Sequence, residues 1–112
     1  MDATSLIRLR SELKQSISDL TFMPFFIKAI SLAMNEFPII NSVVDPELDA
    51  DGYIKQFVIK NDHNFSIAID SKDGLTTPII KHVNRKSILD LNGDLKDLVH
   101  KVNTNTLSKS DF

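Results

Sequence analysis

Residues Phe22–Asp45 read FMPFFIKAISLAMNEFPIINSVVD. Between Met23 and Glu36 the only polar side chains are Lys28, Ser31, Asn35 and Glu36, so a helix here carries one narrow polar stripe. A helix that apolar is covered on most sides when it folds. The apolar run Phe22–Met34 is 13 residues long and holds Lys28 at its centre. A bilayer span needs about 20 apolar residues, so the stretch predicts a buried helix. Thr21 is a candidate N-cap, and Pro24 is tolerated in the first turn. Phe37-Pro38 closes the helix and leads into a strand over Ile40–Val44.

Upstream, a first helix is expected from Asp2 or Thr4 to about Ile17. Leu6, Leu9, Leu13, Ile17 and Leu20 fall on one stripe of it, with Arg8, Glu12 and Gln15 turned away. Downstream, strand signals cover Ile54–Ile59, Asn64–Asp70 and Leu75–Ile80. The polar loop DPELDADG precedes the first of these, and SKDG makes a short hairpin connection between the last two. Pro78 places its strand at an edge or a bulge. A third helix opens with Ser87-x-x-Asp90, a capping-box variant, and buries Ile88, Leu91, Leu95, Leu98, Val99 and Val102. Neither end supplies an element that closes off a sheet.

The 112 residues suffice for one small domain. The formal charge is -2 with both signs interspersed, which gives nucleic acid no basic face. The absence of cysteine removes disulfides, thiol nucleophiles and thiolate metal sites together. Met1–Ser5 runs into the amphipathic pattern without a charged lead or apolar core, so no targeting segment is read there.

Few residues assemble into chemistry. Asp45, Glu47, Asp49 and Asp51 suggest calcium, but an EF-hand loop from Asp45 needs glycine and glutamate where Ala50 and Gln56 stand. His63, His82 and His100 are too far apart in sequence for a helical or turn-spaced metal site. His100 is expected in solvent, and His63 and His82, flanking strands, at the surface or in caps. Arg10 is the most informative side chain, lying only about 50° from the centre of the first helix's apolar stripe. A guanidinium there needs a carboxylate or several carbonyls. In NFSIAID, Phe65, Ile67 and Ile69 point one way and Asn64, Ser66, Ala68 and Asp70 the other. Asp70 thus ends a face of small residues that a helix, another chain or a ligand can approach. Either Arg10 pairs with Asp70, or Arg10 reaches water and Asp70 caps the hairpin turn.

Taken together, LIRLRSELK, the Phe22–Asp45 stretch, HNFSIAIDSKDGLTTPIIKHVNRKSILDL and LSKSDF, in that order, resemble the catalytic domain of dihydrolipoamide acyltransferases. These are the core subunits of 2-oxoacid dehydrogenase complexes. The Phe-Met-Pro-Phe-Phe-x-Lys-Ala run and the His-Asn lead-in resemble the branched-chain member most. The resemblance covers essentially the whole chain. It implies an α/β sandwich of the chloramphenicol acetyltransferase type, represented here by three helices and about four strands of a mixed sheet. It also implies acyl transfer from a lipoyl arm, carried on a domain not in this sequence, to coenzyme A as cosubstrate, with no metal. The implied partners are a homotrimer, a larger core, and decarboxylase and dihydrolipoamide dehydrogenase components, with neither nucleic acid nor membrane. The implied location is the mitochondrial matrix in a eukaryote or the cytoplasm in a bacterium.

Within the family a first-helix arginine and the aspartate ending this strand pair beside the active site. Arg10 and Asp70 match those positions, which favours the pairing. The family's catalytic His-x-x-x-Asp-Gly is absent; HKVNTN at His100 has neither the Asp nor the Gly. The oxyanion stretch Gly-Gly-x-Phe-Thr-x-Ser is absent too. The expectation is therefore the central part of one acyltransferase domain, residues 1–112, without its first helix and strand and without its C-terminal catalytic part. No catalytic residue falls inside it. Ser66 stands where the family often has glycine, and Thr76-Thr77 where it has aliphatic residues. Ser66, Ala68 and Thr76 are the candidates for a substrate channel. The alternative is a non-catalytic interaction module that kept only the helix–sheet core.

Overall fold

Pro24 sits in the first turn of α2 (Met23–Glu36), where its missing N–H leaves no helical bond unmade. Phe22 is the residue before the helix, already in helical geometry, and no side chain caps it. The Thr21 cap is not formed, because Thr21 lies one residue too early. The computed structural model describes all 112 residues, with α1 over Thr4–Lys14 and α3 over Ile88–Asn103. Four short strands lie between the helices: β1 (Ser42–Val44), β2 (Phe57–Ile59), β3 (Phe65–Ser66) and β4 (Ile79–Ile80).

One core forms. Ile27 of α2 meets Ile80, Val83, Leu91, Leu95 and Leu98, with Phe65, Ile67, Ile69 and Leu107 packed at its margin. α3 opens on the expected capping box: Ser87 Oγ accepts from the Asp90 N–H, and an Asp90 carboxylate oxygen accepts from the Ser87 N–H. Its Leu91, Leu95, Leu98 and Val102 are buried as the spacing predicts, but Ile88 is half-buried and Val99 exposed. α2 buries Phe25, Ile27, Ser31 and Met34, yet Phe26, Ile30 and Leu32 stay exposed. Cover on nearly every side, expected from the sequence, is given on one face only. α1 buries no residue at all.

The sheet also departs from expectation. Instead of one mixed sheet there are two separate antiparallel pairs, β1–β2 and β3–β4. In the first, Ser42, Val43 and Val44 face Ile59, Val58 and Phe57; in the second, Phe65 and Ser66 face Ile80 and Ile79. Antiparallel neighbours close through local turns, whereas a mixed sheet needs a parallel crossover partner, and no strand of this chain bridges the two pairs. Isolated bridges extend each hairpin, Leu48 to Ile54 and Ile69 to Thr76. Pro78 can accept but not donate; its carbonyl takes the Ile67 N–H at 2.9 Å.

The radius of gyration is 17.5 Å and the principal extents are 60 × 36 × 24 Å, against about 13 Å for a compact domain of this length. Only 16 of 112 residues are buried. The β1–β2 hairpin and α1 account for much of the excess: Val43, Val44, Phe57, Val58 and Ile59 are all exposed, as are Ile7, Leu9 and Leu13.

Candidate functional site

An apolar cleft of about 490 Å³ lies between the α1–α2 junction, the Ile67–Asp70 segment that follows β3, and α3. The α1–α2 loop supplies Asp19 and Thr21, and the start of α2 Met23; the segment after β3 supplies Ile67 through Asp70; α3 supplies Asn92, Leu95, Lys96 and Val99. Three residues that sequence reading passed over pin its rim. Lys96 Nζ donates to one Asp19 oxygen at 2.7 Å, and Asn92 Nδ2 to the other at 3.2 Å. The Lys96 hydrogen bond is the main reason that the Asp19 carboxyl lies below the usual range. The sequence signal for this tie is faint: Asn92 and Lys96 are one helical turn apart, and nothing local points them at Asp19.

Arg10 and Asp70 are not brought together. No ion pair joins them; Arg10 Nε donates to the Leu20 carbonyl at 3.2 Å, and its guanidinium lies 4.5 Å from the centre of the Phe22 ring. A carbonyl and an aromatic face thus meet the need that the sequence assigned to a carboxylate. Arg10 braces the entry to α2. Asp70 is exposed and lines the cleft. It does not cap the turn either, since Ser71 Oγ takes that place by donating to the Gly74 carbonyl at 2.8 Å and accepting from the Asp73 N–H at 3.2 Å. Of the channel candidates, Ala68 lines the cleft. Ser66 Oγ instead donates to the Thr77 carbonyl at 3.2 Å, and Thr76 is held in the bridge to Ile69.

The histidines also sort themselves. His63 is buried rather than at the surface, with Nδ1 2.7 Å from the buried Ser31 hydroxyl and its N–H donating to Asn84 Oδ1. Ser31, read from the sequence as part of a polar stripe, is what draws it inward. His82 sits in left-handed backbone at φ 56, its N–H donating to Asn64 Oδ1. Its Nδ1 lies 3.1 Å from Asp62 Oδ1 but off the line a hydrogen bond requires. His100 is exposed. No histidine lines the cleft. The acidic loop folds on itself, Asp45 Oδ1 accepting the Glu47 N–H and Asp49 Oδ1 those of Asp51 and Tyr53. Near the end of the chain Asp111 is drawn down to about 2, first by the Ser108 N–H and then by Lys101 at 2.9 Å.

The sequence model of the 2-oxoacid dehydrogenases acyltransferase (catalytic domain) family matches residues 1–112. The chain belongs to that family. It is 37% identical over 116 residues to the mitochondrial lipoamide acyltransferase component of the branched-chain alpha-keto acid dehydrogenase complex of Bos taurus. It is 29% identical, also over 116 residues, to the dihydrolipoyllysine-residue acetyltransferase component of the Bacillus subtilis pyruvate dehydrogenase complex. Both alignments cover 100% of this chain but 23% and 25% of the relatives, so the chain spans about a quarter of their length. Among solved structures, a probable dihydrolipoamide acetyltransferase from Listeria monocytogenes superposes with a TM-score of 0.85 at 34% identity, over 98% of this chain and 46% of that one. No helix is long and apolar enough to cross a membrane.

Proposed function

We propose that these 112 residues are the central part of an acyltransferase catalytic domain of the chloramphenicol acetyltransferase type. That domain moves an acyl group from dihydrolipoamide to coenzyme A in a 2-oxoacid dehydrogenase complex, and the complex is of the branched-chain kind. The family match across the whole chain carries the reading. The 37% identity to the bovine branched-chain component, against 29–34% for the pyruvate-type relatives, supports the finer choice. Ala68 and Asp70 give one wall of the channel, Ser66 and Thr76 shape the strand behind it, and Arg10 holds the α1–α2 junction. Trimeric and larger assembly, together with the decarboxylase and dihydrolipoamide dehydrogenase components, follows from the same reading. So does a matrix location in a eukaryote or a cytoplasmic one in a bacterium.

The chemistry needs a base for the thiol and donors for a developing oxyanion. None of the three histidines reaches the cleft, so in this reading base and donors come from elsewhere in the assembled domain. A chimera tests it: the 112 residues replace the aligned stretch of the bovine relative, and transfer of branched and linear acyl groups is measured. Retained turnover that favours branched acyl groups is the expected result. A folded chimera without turnover favours the interaction-module alternative. A preference for acetyl overturns the branched-chain choice alone.

A further inference from the structure

After α3 the chain reverses, and the segment that follows is pinned back onto the body. Asn105 takes left-handed backbone at φ 55, and the Thr106 N–H returns to the Lys101 carbonyl at 2.9 Å. Leu107 packs at the margin of the core. Beyond it Asp111 is the one buried residue, and the one apolar side chain, Phe112, is exposed. Polar bonds therefore set this path. One Asp111 oxygen accepts from Lys101 Nζ at 2.9 Å. The other accepts the Ser108 N–H at 2.8 Å and the Ser108 hydroxyl at 3.0 Å. Lys81 Nζ donates to the Ser110 carbonyl at 2.9 Å. Lys101 lies within one turn of Leu98, and Lys81 directly follows Ile80, both core residues, so the two cations are fixed to the packed part of the molecule. At the other end of the chain α1 buries no residue.

We propose that the Lys101–Asp111 pair is a positioning element of the acyltransferase domain: it fixes the path of the polypeptide that leaves this body after Asp111, and Lys101 thereby governs turnover without touching substrate. The inference rests on the acyltransferase reading, in which base and oxyanion donors come from elsewhere in the assembled domain. Groups that meet the reacting atoms must be held closely, since a misplacement of about 1 Å far from the chemistry can cost 10²-fold in rate. A segment steered by apolar packing keeps its course when one charge is removed. Here three of the four polar bonds converge on one carboxylate, and both of its oxygens are spent on them. Lys101 also pairs with Asp97 at 3.2 Å, one turn back on α3, which holds its ammonium in place whether or not the segment is docked.

The test has one arm in the free chain and one in the chimera with the bovine relative. In the 112-residue chain, Lys101→Met removes the charge and keeps the apolar stem. Exchange of the Ser108 and Asp111 amides should quicken by about tenfold, while the Leu95 and Leu98 amides stay protected. In the chimera, Lys101→Met should lower kcat by about tenfold with KM for both substrates and the urea midpoint unchanged. Lys101→Arg, which restores the charge, should return kcat to within about twofold of the parent. Asp97→Asn breaks only the pair within α3 and should also stay within about twofold. Unaltered exchange in Lys101→Met overturns the proposal, because the segment is then held by something else. A silent Lys101→Met in an active chimera overturns the positioning role and leaves the acyltransferase reading standing. So does a loss of kcat that follows the urea midpoint and is not rescued by arginine, which makes the pair a support of the fold alone. A folded parent chimera without turnover ends the acyltransferase reading itself, and the positioning role with it.

Discussion

The two hairpins of this chain are built alike and buried differently. β3–β4 lies on α3, and its Ile80 is part of the core with Phe65 beside it. β1–β2 has a comparable antiparallel register and equally apolar residues, yet Val43, Val44, Phe57, Val58 and Ile59 are all exposed. Backbone pairing alone therefore does not make a strand part of a core. An isolated two-stranded hairpin is marginal in water, and β3–β4 escapes that limit through the helix beneath it. The β1–β2 arm has the composition of a covered element without its cover. Contiguous exposed apolar surface of this kind marks an interaction face or an aggregation liability.

The sharpest way to break this comparison is to cut the core of the body. Leu91 is 0% exposed at the centre of the cluster, so Leu91→Ala should cost about 2–5 kcal/mol, read as a fall in the urea midpoint. A small change would mean that the body is no better packed than the arm. Next comes Ser31→Ala. Ser31 and His63 are 1% and 5% exposed, and the hydroxyl is the 2.7 Å partner of Nδ1. Removing it strands a buried ring nitrogen at a cost of about 1–3 kcal/mol. Stability equal to the parent's would show that water reaches the ring.

Helix positions were legible in the sequence because period and caps are local. The apolar stripe of α3 and the Ser87–Asp90 box, and the Pro24 start of α2, can all be read without knowing what lies opposite. Strand lengths were not. Ile40–Val44 and Asn64–Asp70 look like five- and seven-residue strands, but regular pairing keeps only Ser42–Val44 and Phe65–Ser66, with a single bridge at Ile69 beyond, because a strand exists only where a partner does. The cleft was half legible. Alternation alone placed Ala68 and Asp70 on the small-residue face, but the Asp19–Asn92–Lys96 tie spans more than seventy residues of sequence. The Arg10–Asp70 pairing misled because charge and stripe position establish that Arg10 needs a partner, not which one. A carbonyl and a phenyl ring answered first.

Smaller effects sharpen the contrast at the margins of the body. Ser87→Ala removes the acceptor of the Asp90 N–H and should cost about 1 kcal/mol, with fraying of the first turn of α3 visible in amide exchange. The Lys101–Asp111 tie should show in an acid titration. The Asp111 carboxyl is at about 2 in the fold against an ordinary 3.8, so the fold binds its proton later than the unfolded chain does. The stabilisation is complete above the ordinary value and is lost as pH falls from there toward about 2. The Ser108–Phe112 turn should loosen over that window, while the β1–β2 arm gives no matching transition. Lys101, raised by Asp111, keeps its contribution up to the ordinary lysine range and loses it only as pH rises beyond. A tail signal that is flat in acid would mean that the Ser108 N–H bond is not formed in solution.

The smallest effect in the free chain falls in the arm, and it tests the comparison most directly. Val58 is 53% exposed and faces Val43 across the hairpin. Truncation at so open a site leaves no cavity and removes little buried area, so Val58→Ala should change stability by less than about 0.5 kcal/mol. The same residue lies among exposed Val43, Phe57 and Ile59, a patch whose burial by a partner would be worth roughly 25 cal/mol per Å². Val58→Ala should therefore leave the urea midpoint of the free chain unchanged while lowering its binding of a hydrophobic dye and slowing its aggregation. Measured together, the two readouts separate a surface that waits for a partner from one that already supports the fold. A clear fall in the midpoint would show that the arm is packed in solution, and the difference between the two hairpins would disappear.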